Sequence, residues 1–157
     1  SQGIPEKKMS LNKEAELLRD IPLFRNISPA KLKLLAFTSE RLWHDDEQFL
    51  FKEGDDGDAA YIILSGTAVV SIESNSGSQE VARLKKGGVV GEISILCDVP
   101  RTATVQAQDS LTTLRITKDT FFHLITEFPE ISIEIMRELA SRLDETNKQL
   151  REALNRK

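Results

Sequence analysis

The chain is poor in the residues that most often announce chemistry. Among its 157 residues there is one cysteine, Cys97, and two histidines, His44 and His123. A single cysteine excludes an intrachain disulfide and accords with a reducing compartment. Two histidines far apart in sequence leave too few ligands at useful spacing, so no metal is expected. No apolar run reaches the ~20 residues that span a bilayer and no signal-peptide pattern is visible; membrane attachment by this chain is not expected, and the cytoplasm is the default. Basic runs are missing as well. The net charge is −4, without a Lys/Arg stripe to track phosphates, which argues against nucleic-acid binding by this chain. No Ser-His-Asp or Cys-His grouping carries a local signature, so no catalytic residue is assigned and the chain reads as a binding module, not an enzyme.

What is present suits one well-buried core. A hydrophobic content of 39% over this length supports a single domain, assigned to residues 11–157, with residues 1–10 as a flexible polar N-terminus in which Met9 stands as a possible native start. Helical spacing predicts Leu11 to Arg19 and Pro29 to Phe37, the second with Ser28 as cap, Pro29 in its first position and Leu32, Leu35 and Ala36 on its apolar face. From Arg41 to Thr117 the pattern turns to short Val/Ile/Thr-rich runs, broken at Asp55-Asp56-Gly57, Ser65-Gly66, Ser74 to Ser78 and Lys86-Gly87-Gly88. That predicts roughly eight short strands, as in a jelly roll. Helical spacing returns from Lys118 to Glu127 and then from Pro129 to about Asn155. The fold class is therefore α+β, mainly β: an eight-stranded β-roll over residues 41–117, helices over 11–37 before it and a helix pair over 118–155 after it.

One 17-residue stretch, Gly91 to Ala107, reads GEISILCDVPRTATVQA and gathers a carboxylate and an arginine around a turn. Gly91 permits a tight turn and close backbone approach, and the Glu92–Leu96 segment supplies one helical turn whose first N–H groups favour an anion. Arg101, stiffened by Pro100, offers a planar fork for a phosphate, while Glu92 prefers a hydroxyl donor. Thr102 and Ala103 leave room beside the arginine. A phosphate and a hydroxyl a few ångströms apart describe a ribose phosphate, so the implied ligand is a nucleotide.

With Gly91, Glu92, Ser94, Ile95, Arg101, Thr102, Ala103 and the strand Thr104 to Ala107 in order, the stretch resembles the phosphate-binding cassette of cyclic nucleotide-binding domains, the modules of cyclic-AMP-dependent kinase regulatory subunits, cyclic-nucleotide-gated channels and the bacterial catabolite activator. A second signature of that family is similar to Gly54-Asp55-Asp56-Gly57-Asp58, followed by Tyr61 to Leu64 and Gly66. Ala60 and Val90 depart from it, standing where a larger apolar residue and an aromatic are usual. The resemblance implies that Arg101 binds the cyclic phosphate and Glu92 the ribose 2′-hydroxyl, with Gly91, Ile93, Ser94, Thr102 and Ala103 completing the site. It implies cyclic AMP, with cyclic GMP permitted by the Thr102 hydroxyl, as ligand. It also implies a signal carried by movement of Ile95, the Phe121/Phe122 region and the C-terminal helix.

That last helix holds two readings. Met136, Leu139, Leu143, Thr146, Leu150 and Ala153 alternate in steps of three and four, a seam through which two copies would pair, although it covers under three heptads and includes polar Thr146. The other reading folds the helix back on the roll. By the resemblance it can also close over the purine as a lid, and Arg142 stands where some bacterial channel-type domains use an arginine for this. A solvated surface arginine is the plain alternative.

Other features take plainer readings. Asp55 to Asp58 lacks the spacing of a calcium loop and reads as a turn, and Cys97 as a small, half-buried apolar side chain. Three functions follow: a cyclic-nucleotide sensor whose effector is an unknown protein or a domain outside this sequence; a pseudo-sensor that keeps the fold as a dimerisation or interaction unit; and a jelly-roll metalloenzyme, which the histidine count disfavours.

Overall fold

Two long strands account for the architecture. The computed structural model describes residues 3–5 and 10–156. Strand β1 (Ile4–Pro5) is followed by α1 (Leu11–Arg19), a 3₁₀ turn at Pro22–Phe24, α2 (Pro29–Thr38), β2 (Glu40–His44), β3 (Phe49–Phe51), β4 (Ala59–Ser74), β5 (Gly77–Leu84), β6 (Val89–Val90), α3 (Glu92–Cys97), β7 (Thr104–Thr117), α4 (Lys118–Glu127) and α5 (Pro129–Asn155). β4 and β7 pair antiparallel from Ala59↔Thr117 to Ser71↔Thr104, with register shifts on either side of Ser65. On one side of those shifts β4 also pairs with β6 and β7 with β2; on the other β4 pairs with β5 and β7 with β3. The sheet thus doubles over as a roll.

Between Arg41 and Thr117 there are six strands, not eight. Ser65-Gly66 reads in the sequence as a strand break, but Gly66, at φ 89°, only bends β4 there, and the ladder continues on both sides. The expected flexible N-terminus falls largely on residues 1–2 and 6–9, outside the described residues, as does Lys157; within it Ile4 and Pro5 pair with Trp43 and Leu42.

Helix boundaries follow their caps. The Ser10 hydroxyl accepts from Lys13 N at 3.3 Å, Ser28 from Lys31 N at 3.4 Å and Thr117 from Thr120 N at 3.4 Å, each satisfying an otherwise unpaired donor at a helix start. Leu32, Leu35 and Ala36 of α2 are buried as their spacing predicts.

Alternation along β4 feeds two cores. Tyr61 and Ile63 point into the roll with Leu42, Leu50, Val90, Val105 and Leu111. Ala60, Ile62 and Leu64 face the helices, where they meet Phe24, Leu32, Ile95, Phe121 and Ile131. Burial on both faces explains why Ala59 to Leu64 reads as an unbroken apolar run rather than an alternating one. α5 divides in two. Ile131 and Ile135 are buried and Leu139 packs against the helix-side core, whereas Leu143 and Leu150 are about 62% and 56% exposed. The helix therefore folds back on the roll along its first half and presents the seam to solvent along its second.

Candidate functional site

The site forms where α3 and the start of β7 meet the first residues of β4. Gly91 enters α3 at φ 84°, a left-handed conformation that turns the chain sharply between β6 and the helix. The loop after α3 returns to Arg101, whose backbone is locked from both sides by the Gly54–Asp55 turn: Arg101 N donates to Asp55 O and Gly54 N to Arg101 O, both at 2.8 Å. Within that turn Gly57 is close enough that a Cβ would overlap Ser94 Oγ and lie 3.2 Å from Arg101 Cζ. The two glycine-bearing stretches of the sequence are thus halves of one site.

The Arg101 side chain is 4% exposed. Nη1 donates to Gly91 O at 2.8 Å and to Ser94 Oγ at 2.9 Å, and Nη2 donates to Ala59 O at 2.7 Å. The Phe51 ring lies under the guanidinium, 4.0 Å from Cζ to centroid. A guanidinium has five N–H groups and three are spent here; Nε is buried without a partner, and Nη2 keeps one N–H. Among the described residues no carboxylate forms an ion pair with this cation, and burial lowers its pKa. A buried guanidinium held by neutral carbonyls, with donors left over, is a site prepared for an anion.

Glu92, the first residue of α3, is 1% exposed. Its Oε1 accepts from Arg142 Nη2 of α5 at 2.9 Å, and the same Nη2 donates to Val89 O at 2.6 Å. Burial raises the Glu92 pKa, and Arg142 offsets part of that rise.

All eight residues singled out from the sequence, Gly91, Glu92, Ile93, Ser94, Arg101, Thr102, Ala103 and Arg142, border one narrow cleft of about 60 Å³. That volume is well below the ~300–1,000 Å³ of small-ligand pockets, so a nucleotide enters only if the walls of the cleft part. Thr102 is exposed at the mouth and Ser94 is buried against the arginine. Sequence reasoning missed the apolar wall of Phe51, Val70 and Val105, which comes from β3, β4 and β7 and carries no local signal. A wider groove between α2 and α4, lined by Leu34, Leu35, Leu124 and Phe128, lacks comparable converging donors. Cys97, expected half-buried, is exposed at the end of α3, whose inward side is taken by Ser94 and Ile95. Asp55 Oδ2 accepts from Lys52 N at 3.0 Å in a closed turn. Among the described residues no cluster of three or more His, Cys, Asp or Glu could hold a metal ion, and no helix is long and apolar enough to cross a membrane.

Comparison with known proteins supplies the context. The family model described as cyclic nucleotide-binding domain matches residues 42–128, more than half of the chain. The cAMP-dependent protein kinase regulatory subunit of Mucor circinelloides f. lusitanicus is 35% identical over 108 residues, 69% of this chain and 25% of that protein. The CRP-like cAMP-activated global transcriptional regulator of Mycobacterium tuberculosis is 27% identical over 136 residues, 86% of this chain and 61% of that one. Among solved structures, the catabolite activator protein of Thermus thermophilus superposes with a TM-score of 0.71 at 27% identity, covering 82% of this chain and 61% of that one. The chain spans about a quarter of the length of the kinase regulatory subunits it matches. These three are named as regulators, not as catalysts.

Proposed function

The chain belongs to the cyclic nucleotide-binding domain family, and from that premise we propose that it is a cyclic-AMP sensor that signals through its C-terminal helices. The observation that carries this reading is Arg101, a buried guanidinium with Nε unpartnered and no carboxylate paired to it among the described residues. A cyclic phosphate supplies the missing anion, with Ser94 Oγ beside it, and the ribose 2′-hydroxyl donates to Glu92. Gly91 and Ala103 leave room for the sugar, Ile93 and Thr102 border the mouth, and Arg142 reaches the cleft from α5 as its closing residue.

Each charge-assisted hydrogen bond contributes on the order of 1.5–3 kcal/mol, so two or three made only in the closed arrangement invert a modest conformational bias. The cassette then moves α3, Ile95 carries the shift into the helix-side core that it shares with Phe121, and α5 is repositioned. Its reader is an effector protein or domain not contained in this sequence. A cytoplasmic setting, where cyclic nucleotides are made and a free Cys97 stays reduced, belongs to the same proposal.

The test is calorimetric titration of nucleotide-stripped protein with cyclic AMP and cyclic GMP, beside Arg101→Ala. Micromolar or tighter binding that the substitution abolishes supports the sensor; folded protein that binds neither nucleotide is instead a protein-interaction module. Thr102 at the mouth provides a hydroxyl for a guanine, so Thr102→Ala is expected to weaken cyclic GMP more than cyclic AMP. Equal losses reject that role.

A further inference from the structure

Beyond Leu139, the hydrogen bonds that α5 makes to the roll among the described residues come from Arg142 and Gln149. Gln149 Nε2 reaches Val81 O at 3.5 Å on the exposed surface, and Arg142 makes the two bonds to Val89 O and Glu92 Oε1. In the Arg142–Glu92 pair the arginine side chain is 26% exposed and the carboxylate 2%. One end of this contact therefore lies on the exposed half of a helix and the other is buried at the floor of the cleft.

The Glu92 carboxylate receives Arg142 and its own backbone N–H. An ionised carboxylate has about four lone-pair positions, so acceptor capacity remains for a hydroxyl from the cleft side. Without the guanidinium, burial would favour the neutral acid, which is a weaker acceptor and turns more freely. Glu138, one turn before Arg142 on α5, is a second half-buried carboxylate, and the Arg142 charge acts on it as well.

We propose that Arg142 is a positioning residue for the sugar: it holds the Glu92 carboxylate charged and oriented toward the ribose 2′-hydroxyl, and so ties the placement of α5 to that one ligand group. The inference rests on the cyclic-nucleotide reading above. It differs from a lid contact, because an arginine over the purine discriminates between bases, whereas one acting through Glu92 discriminates between sugars.

Cyclic AMP and 2′-deoxy cyclic AMP, titrated against the wild type, Arg142→Gln, Glu92→Gln and the double variant, separate these cases. Arg142→Gln is expected to lose roughly tenfold in affinity for cyclic AMP and less than about twofold for the deoxy analogue, and to lose little further in the Glu92→Gln background. The ratio of cyclic AMP to cyclic GMP affinity should stay unchanged. Arg101→Ala is the contrast, weakening both sugars alike through the shared phosphate. Equal loss of both sugars in Arg142→Gln overturns the proposal, as does a change confined to the base preference. A wild type that binds no cyclic nucleotide overturns the sensor reading itself, which is a different result. Should Arg142→Gln fold poorly, the comparison is repeated with Arg142→Lys, which keeps the charge but loses the planar fork; a smaller loss, still selective for cyclic AMP over the deoxy analogue, is expected, and equal loss of both sugars overturns the proposal.

Discussion

A Cβ on Gly91 would lie 2.7 Å from Arg101 Nη1 and 3.1 Å from Ala59 O, in a backbone at φ 84°. Left-handed backbone costs a non-glycine residue ~1–3 kcal/mol, and the contact adds displacement of the guanidinium. Gly91→Ala is therefore expected to lower stability by about 1–2 kcal/mol and to weaken nucleotide binding together, as read from urea midpoints and titration; a variant as stable and as tight as the wild type would contradict this geometry. Glu92 makes a prediction in pH. Burial raises its folded pKa above the ordinary 4.5 despite Arg142, with Glu138 and Arg101 the other charged groups that act on it. The folded state then holds a proton that the unfolded state has released, so this group's contribution is fully present below the unfolded value and is lost as pH rises through the folded one. Glu92→Gln lacks that loss. Without nucleotide, its stability relative to the wild type should climb as pH rises from about 4 toward neutrality, and a flat difference would mean that the carboxylate is not desolvated. These residues were legible in the sequence because the cassette is contiguous, so Gly91 to Ala103 arrive at one place by local chain geometry. Phe51, Val70 and Val105 were not legible, since only the pairing of β7 with β3 and β4 brings them there.

At the scale of elements, helices were read well and strands were not, for physical reasons. α1, α2 and α4 begin at their Ser or Thr caps and α5 begins at Pro129, because helix starts are decided by residues within one turn of each other. Strand number depends on whether a ladder survives a bend, and β4 and β7 survive theirs by shifting register near Ser65, which no local window records. The 27-residue α5 was open between two readings; its first half folds back on the roll, and its second half is exposed. Its second half carries Leu143, Leu150 and Leu154 exposed, and among the described residues only Arg142 and Gln149 there hydrogen-bond to the roll. We propose that this half pairs with that of a second copy through the Leu143–Ala153 part of the seam, Leu139 being taken up by the helix-side core. Sedimentation should then find a dimer that Leu143→Glu with Leu150→Glu converts to monomer, leaving Ile131 and Ile135 in place; a wild type that stays monomeric at high concentration excludes the pairing.

Two cores meet around the cleft. α3 contributes Ile95 to the helix-side core, β6 contributes Val90 to the roll core, and Arg101 joins Gly91 O to Ala59 O where β4 begins. β4 belongs to both cores, so the two are expected to unfold together. A ligand bound at the cassette should therefore stabilise the entire fold rather than a local segment. At a free nucleotide concentration of 100 Kd the linkage relation gives ~2.7 kcal/mol, and for a chain of this size each kcal/mol raises Tm by about 2–4 °C. Saturating cyclic AMP is expected to move a single calorimetric transition upward by about 5–10 °C. Arg101→Ala, which removes the anion's partner, should show no such shift at the same concentration, whatever its own starting Tm. Two transitions, only one of them responsive to nucleotide, would mean that the roll and the helices unfold separately, and a signal begun at Arg101 would then have no rigid route to α5.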